Sequence, residues 1–357
     1  MAEPNVRVAL VGCGNIATAY VEHMRAYDHV ELVGFADLRA ERAEAFAQEH
    51  GGTAYPDLDT LLADPAVDVV VNLTIHHAHV EVITQCLEAG KHVYTEKPFA
   101  MRYDDAARLL RLADEKGLRL SSAPITYMGE AQQTTWKTLR SGRLGPVRLA
   151  YAELNHGRIE TWHPNPVPFY DVGIVWDVGI YPITLLTALL GPARRVTALG
   201  HVVYPDRKTL SDEPFRITAP DVVTAAIAFA SGTLARLSCN FYTTTSRQGS
   251  SAEFHGDAGS LYLGSCFDFH APVEYAPYGE AFEPIPLLRD PFEGVEFGRG
   301  LKAFADALRE GRPHRASAAH AAHVVEIIEA IHQSIDEGRA VAVHSTFTPP
   351  APMDWAE

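Results

Sequence analysis

Residues 12–17 read Gly-Cys-Gly-Asn-Ile-Ala, between an apolar run at 6–11 and a helical pattern at 15–27. A G-x-G-x-x-A turn at a strand-to-helix junction is tight and bare. It lets a pyrophosphate reach backbone N–H groups at the positive end of a helix. Gly12 suits the turn, Gly14 the close approach of phosphate, and Ala17 the packing of helix on strand, with Asn15 and Ile16 between them. The same hexapeptide can serve as a plain βα turn, so its sequence context has to decide. A second apolar run, 32–36, ends at Asp37. That is about 20 residues on, where a carboxylate accepts hydrogen bonds from an adenosine ribose. The other reading of Asp37 is a helix cap. The two features together predict dinucleotide binding, with NAD expected over NADP. Arg39 and Arg42 stand close enough in sequence to serve a 2′-phosphate instead.

The rest of the first 125 residues keeps this alternation. Apolar runs at 67–74, 92–95 and 118–123 are separated by helical patterns at 39–49, 79–89 and 103–116. Strand and helix alternating at this spacing imply βαβ units and a parallel sheet. From about 146 the texture changes. A strand pattern at 147–155 and two hairpin signals, 225–237 around Ser231-Gly232 and 252–263 around Asp257-Ala258, read as antiparallel. An apolar helix at 177–190, helices at 301–310 and 320–337, and a strand at 342–344 complete the assignment; 268–296 carries no assignable pattern. The expected fold is an α/β Rossmann domain, doubly wound on a parallel sheet, at 1–125. An α+β domain with a mostly antiparallel open sheet is expected at 126–357, serving substrate binding and oligomerisation.

Composition narrows the function classes. The chain has 357 residues and a formal net charge of −15, which excludes the basic footprint of a nucleic-acid binder. No apolar run reaches 18 residues, so no membrane span is expected. The apolar run at 6–11 leaves no room for a signal peptide ahead of it, so a soluble, cytoplasmic chain is expected. Four cysteines, at 13, 86, 239 and 266, form no C-x-x-C pair, which speaks against a disulfide framework or a zinc cluster.

Tyr94-Thr95-Glu96-Lys97-Pro98 ends the fourth apolar run, where ligands of doubly wound sheets bind. With residues 12–17, Asp37, the stretch 68–79, Ala89-Gly90-Lys91-His92-Val93 and Asp177-Val178-Gly179-Ile180-Tyr181, the chain resembles the Gfo/Idh/MocA oxidoreductases over nearly its whole length. The resemblance implies a cis bond at Lys97-Pro98, which would present Lys97 to the pocket. It implies nicotinamide-side contacts from Thr74, His76, His79, Glu96 and Lys97, and a homodimer or homotetramer built on the open sheet face. Asp177 and Tyr181 stand at i, i+4, one face of a helix, although Asp177 is equally suited to a helix's first turn. Many members of that family carry histidine where Tyr181 stands. A phenol with a pKa of about 10 is a poor base alone, and a cation nearby favours the phenolate. Lys97, Tyr181 and Asp177 are the expected catalytic residues: an orienting cation, a proton acceptor and a residue that holds them or the substrate.

Two further stretches invite roles. His76-His77-Ala78-His79 lacks the i, i+4 spacing of a helical metal pair, so no metal is expected; the family usually has proline where Ile75 stands. Residues 155–171 mix aromatic and polar groups, and Trp162, His163 and Tyr170 with Asp177 and Tyr181 suit a sugar or polyol substrate, or a cyclic diol. The expected reaction is hydride transfer between NAD and a hydroxyl-bearing carbon. A lyase or glycosidase using NAD in a transient oxidation, or a dinucleotide-binding regulator, stays open at this point.

Overall fold

A computed structural model describes residues 4–357. The chain forms two compact units, Met1–Ile125 with Glu296–Val325, and Thr126–Val295 with Glu326–Glu357. The sequence suggested a single crossing at 125; instead the chain comes back to the first unit at Glu296. The cause is an apolar face on the helix Gly298–Arg309, whose Leu301, Phe304 and Ala305 join the core of the first unit. Burying a leucine or phenylalanine contributes about 1.5–3 kcal/mol, enough to hold a single helix there.

In the first unit β1 (Val6–Val11), β2 (Val30–Ala36), β3 (Thr53–Ala54), β4 (Val69–Asn72), β5 (His92–Thr95) and β6 (Leu120–Ser122) form a parallel sheet in the order β3-β2-β1-β4-β5-β6. Helices α1 (Asn15–Met24), α2 (Ala40–His50), α3 (Leu58–Ala63), α4 (His79–Glu88) and α5 (Tyr103–Lys116) link them. All four residues of β4 are buried, as expected for a strand covered on both faces. The order reverses between β1 and β4, and parallel strands end at one edge. The loops after β1, β2, β4 and β5 therefore open on the same side.

Two histidines of this unit are held neutral. Burial pulls His314 down to about 4 and His320 to about 3, from about 6.5 in an unfolded chain. Between pH 6.5 and 4 the unfolded chain then binds more protons, so stability is present above that window and falls as the pH drops through it. The urea midpoint should fall steadily from pH 7 to pH 4.5, and H314Q and H320Q should flatten that slope. A wild-type midpoint that does not move contradicts the buried neutral state.

The second unit holds a nine-stranded sheet of β7 (Val147–Asn155), β8 (Ala193–His201), β11 (Val222–Phe229), β12 (Leu234–Asn240), β13 (Ala252–Gly256), β14 (Gly259–Leu263), β15 (Val273–Pro277), β16 (Glu283–Pro284) and β17 (Val341–Ala342). A separate ribbon pairs β9 (Asp206–Lys208) with β10 (Pro214–Arg216). In the large sheet β7 and β12 run parallel and the other neighbours antiparallel, so both their carboxyl ends point the same way. The unassigned stretch 268–296 contains β15 and β16. The helix Glu130–Arg140 had no sequence signal, because it buries Gln132, Gln133, Thr134 and Thr135 along with Trp136. Several of its polar side chains find partners within the unit, as with Gln133 Nε2 to the Tyr127 carbonyl at 2.8 Å. An apolar period is absent where the core face is itself polar.

Candidate functional site

Gly12 adopts φ +96°, and a Cβ there would lie 2.7 Å from the Leu73 carbonyl oxygen. Only glycine fits this turn from β1 into α1, which packs against the residue following β4. Gly14 has open space where its Cβ would be. It precedes α1, whose first turn has no acidic residue and whose N-cap makes no side-chain hydrogen bond. A helix start without a protein cap, facing open space across a glycine, matches what a dinucleotide pyrophosphate needs. Asn15 is exposed, Ile16 half-buried and Ala17 fully buried, so Ala17 packs while the two before it flank the cradle.

The Asp37 carboxylate accepts from the Cys13 N–H at 2.8 Å and the Arg39 N–H at 2.9 Å, one oxygen each. It therefore locks the phosphate loop to the end of β2 while each oxygen keeps a lone pair for a ribose hydroxyl. The cap of α2 is Arg39 rather than Asp37, and the Arg39 side chain is exposed. Burial first, and then the Asp37 charge, push the Cys13 thiol up to about 12, so no thiolate stands beside the phosphates.

At the ends of β4 and β5 the expected contacts divide. Asn72 is fully buried and acts as a hub: its Oδ1 accepts from the Thr74 hydroxyl at 2.7 Å, and its Nδ2 donates to the Thr95 hydroxyl at 3.1 Å. His76 lies in a 3₁₀ turn with its ring 4.0 Å from that of His77. His79 opens α4, as expected, but is 1% exposed. Its Nδ1 lies 2.7 Å from the Pro98 carbonyl and its Nε2 3.0 Å from the Thr74 carbonyl. Burial lowers its pKa against the raising effect of those carbonyls. His79 therefore ties two loops together.

Glu96 likewise joins two elements. Its Oε1 accepts from the Tyr20 hydroxyl at 2.7 Å and its Oε2 from the Lys97 N–H at 2.9 Å. The first bond fastens the end of β5 to α1, and the second fixes the backbone of Lys97 itself. Lys97 is half-buried, and the Lys97-Pro98 bond is cis. Tyr20 and Asn72 were missed by sequence reasoning. Tyr20 sits on the apolar stripe of α1, and its partner is 76 residues away, so no local pattern distinguishes it from core.

The second unit carries Asp177 in a π-helical turn, Val175–Gly179, which runs directly into the helix Ile180–Leu190. A regular α-helix beginning at Asp177 was expected. The π turn widens the backbone spacing to i→i+5, a local irregularity that is frequent at functional sites. It packs on β12, where a Cβ on Gly179 would come 3.3 Å from Cys239 Sγ. Asp177 is half-buried and lies in the first turn of that π-helical segment, where a carboxylate also suits the helix dipole. Tyr181 is half-buried in the first turn of the following helix, its ring edge-on to Phe267 at 4.7 Å. Phe267 immediately precedes the stretch 268–296, which carries no assignable secondary-structure pattern in the sequence.

Among the substrate candidates, Trp162 is 54% exposed. His163 packs its ring against Trp162 at 5.4 Å and Phe169 at 4.8 Å. Tyr170 is different: it is 2% exposed and its hydroxyl donates to Glu160 Oε2 while accepting from Arg207 Nη1 at 2.9 Å and the Ile159 N–H at 3.1 Å. Its proton and lone pairs are spent, so the Tyr170 hydroxyl anchors the loop. Among the described residues no three His, Cys, Asp or Glu side chains gather in a metal-holding group.

The family model described as "Oxidoreductase family, NAD-binding Rossmann fold" matches residues 6–123, and the GFO/IDH/MocA C-terminal domain matches residues 133–262. The chain is 28% identical over 314 residues to a 1,5-anhydro-D-fructose reductase of Ensifer adhaerens, covering 86% of this chain and 90% of that one. It is 26% identical over 316 residues to a trans-1,2-dihydrobenzene-1,2-diol dehydrogenase of Macaca fuscata fuscata, covering 86% and 89%. In fold it resembles the crystal structure of an NAD-binding oxidoreductase from Klebsiella pneumoniae, with a TM-score of 0.82 at 22% identity, covering 96% and 99% of the two chains.

Proposed function

The chain belongs to the Gfo/Idh/MocA family of NAD(P)-dependent oxidoreductases, and from that premise we propose that its substrate is a sugar, a polyol or a cyclic diol, oxidised at a hydroxyl-bearing carbon. The observation that carries the reading is the carboxyl edge of the parallel sheet, where Gly12–Gly14, Asp37 and Lys97 end neighbouring strands. The sugar-reductase and diol-dehydrogenase relatives support the substrate class. A bound nicotinamide would supply the hydride acceptor or donor.

The rest falls to side chains. The Gly12–Ala17 turn and the start of α1 would hold the pyrophosphate, and Asp37 the adenosine ribose. Lys97, its backbone fixed by Glu96, would orient the reacting oxygen and favour its deprotonated form. Tyr181 would take the hydroxyl proton, and Asp177 would position Tyr181 or a neighbouring hydroxyl. A screen of sugars and polyols with NAD, followed by NADH absorbance, tests the reading. Turnover of at least one sugar, polyol or diol is expected; a substrate cleaved with no net NADH contradicts it.

NAD is the proposed partner rather than NADP. A 2′-phosphate would meet the Asp37 carboxylate, and Arg39 would have to give up rotamer freedom to compensate. NAD should be favoured by about 10²-fold in kcat/KM, about 2.7 kcal/mol. Asp37→Ser should collapse that ratio. Wild-type preference for NADP, or a ratio unchanged in the variant, contradicts the role of Asp37.

A cytoplasmic homodimer or homotetramer completes the proposed reading. No helix among the described residues is long and apolar enough to cross a membrane. The outer face of the nine-stranded sheet exposes Leu149 and Leu234, cross-strand partners on β7 and β12, and Leu199 on β8. Apolar residues at neighbouring outward positions suit a subunit contact.

A further inference from the structure

We infer that Arg158 reads an acidic group on the substrate, so that the sugar or polyol this chain takes carries a carboxylate or a phosphate ester. The inference rests on the proposed carbohydrate reading for the substrate's ring and on the geometry of the second unit for its charge.

The parallel pair β7 and β12 places two loops side by side. Asn240, at the end of β12, donates from its Nδ2 to Asn155 Oδ1 at 2.6 Å, and its carbonyl accepts from the His156 N–H at 3.0 Å. Gly157 comes next with φ +78°, and a Cβ there would lie 2.6 Å from Thr244 Cγ2. The loop after β7 is thus pressed against the loop after β12. The same end of β12 supports the π turn that carries Asp177.

That junction brings Arg158 over the ring of Tyr242, with the guanidinium carbon 5.7 Å from the ring centre. Tyr242 is 47% exposed. The ring of His156 lies 5.9 Å from that of Trp162 and 5.7 Å from that of Phe241. Exposed aromatic faces beside a polar strand end form a shelf on which a sugar ring can rest.

The charge on this shelf is uncommitted. Among the described residues Arg158 forms no ion pair with a carboxylate; its side-chain partner is the Tyr242 ring. Several other arginines of the unit are ion-paired, Arg148 with Asp257, Arg236 with Glu153 and Arg289 with Glu130, whereas Arg143, like Arg158, rests on an aromatic ring, that of Tyr275. The nearest acid in sequence, Glu160, is buried and bound to Arg207 and Tyr170. Glu160 is thus committed to Arg207 and Tyr170. A guanidinium stacked on an aromatic ring keeps its planar fork of donors for a carboxylate or phosphate. The chain's net charge of −15 does not steer an anion inward, and beyond about 8 Å that field is screened. Recognition of an acidic substrate has to come from a local cation such as this one.

The test compares hexoses with their uronic acids and their 6-phosphates, using the full chain. Binding is read from tryptophan fluorescence, with Trp162→Phe as the control for the reporting residue, and turnover from NADH. The wild type should prefer one acidic form over the neutral hexose by roughly 10–100-fold; which form is preferred separates carboxylate from phosphate. Arg158→Met should raise KM for that form by roughly 10–100-fold with kcat changed less than about threefold. Arg158→Lys should recover part of the loss, which distinguishes charge recognition from loop damage. Equal binding of neutral and acidic forms by the wild type overturns the inference, as does a preference that survives in Arg158→Met. Acid-selective binding without any NADH would sustain the inference while contradicting the oxidoreductase reading of the substrate.

Discussion

Lys97→Met and Tyr181→Phe should each lower turnover by roughly 10²–10⁴ while leaving NAD affinity within a few-fold. The first removes the cation that orients the reacting oxygen and keeps the side chain's length. The second removes the proton acceptor and keeps the ring against Phe267. Steady-state kinetics with the substrate found by the screen would show kcat falling, and a titration of NAD would show the cofactor still bound. The double variant should be little slower than the slower single, because groups acting as one unit are not additive. If Tyr181→Phe retains nearly full turnover, the proton goes elsewhere.

Arg207→Met should cost about 3–5 kcal/mol of stability. Its side chain is fully buried between the carboxylates of Glu160 and Asp221. It bonds to both, to the Tyr170 hydroxyl at 2.9 Å and to the Tyr204 carbonyl at 2.9 Å. Removing it leaves two buried carboxylates without a counter-charge. Tyr170→Phe deletes only the hydroxyl and should cost about 1–2 kcal/mol. Urea unfolding of both variants against the wild type decides. A loss under about 1 kcal/mol in Arg207→Met would mean that water or rearrangement reaches the cluster.

Local chemistry was the part of this chain that could be read from sequence. The turn at 12–17, β1, β5 and α5 have the bounds that period and punctuation suggested, because each is specified by neighbours within a few residues. Pairing across long distances was not legible. Glu96 holds Tyr20 from 76 residues away. Tyr170 is enclosed by Glu160 and Arg207. His79 bridges the carbonyls of Thr74 and Pro98. The helix Glu130–Arg140 was hidden because it buries amides and hydroxyls, and β15 and β16 because prolines and glycines around them break the alternation. The π turn at Asp177 leaves no compositional mark, since i→i+5 bonding depends on packing against β12 rather than on residue type.

Net oxidation of a hydroxyl-bearing carbon is tested most directly by where the hydride goes. A substrate carrying deuterium on its reacting carbinol carbon should be incubated with NAD and the wild-type chain, and the nicotinamide recovered for mass spectrometry. Deuterium should appear in reduced nicotinamide, one label per carbonyl formed, and Tyr181→Phe should slow its appearance by the same factor as kcat. Product that forms while the label stays on the substrate carbon or exchanges into water, with no reduced nicotinamide, would contradict net oxidation of a hydroxyl-bearing carbon by this chain.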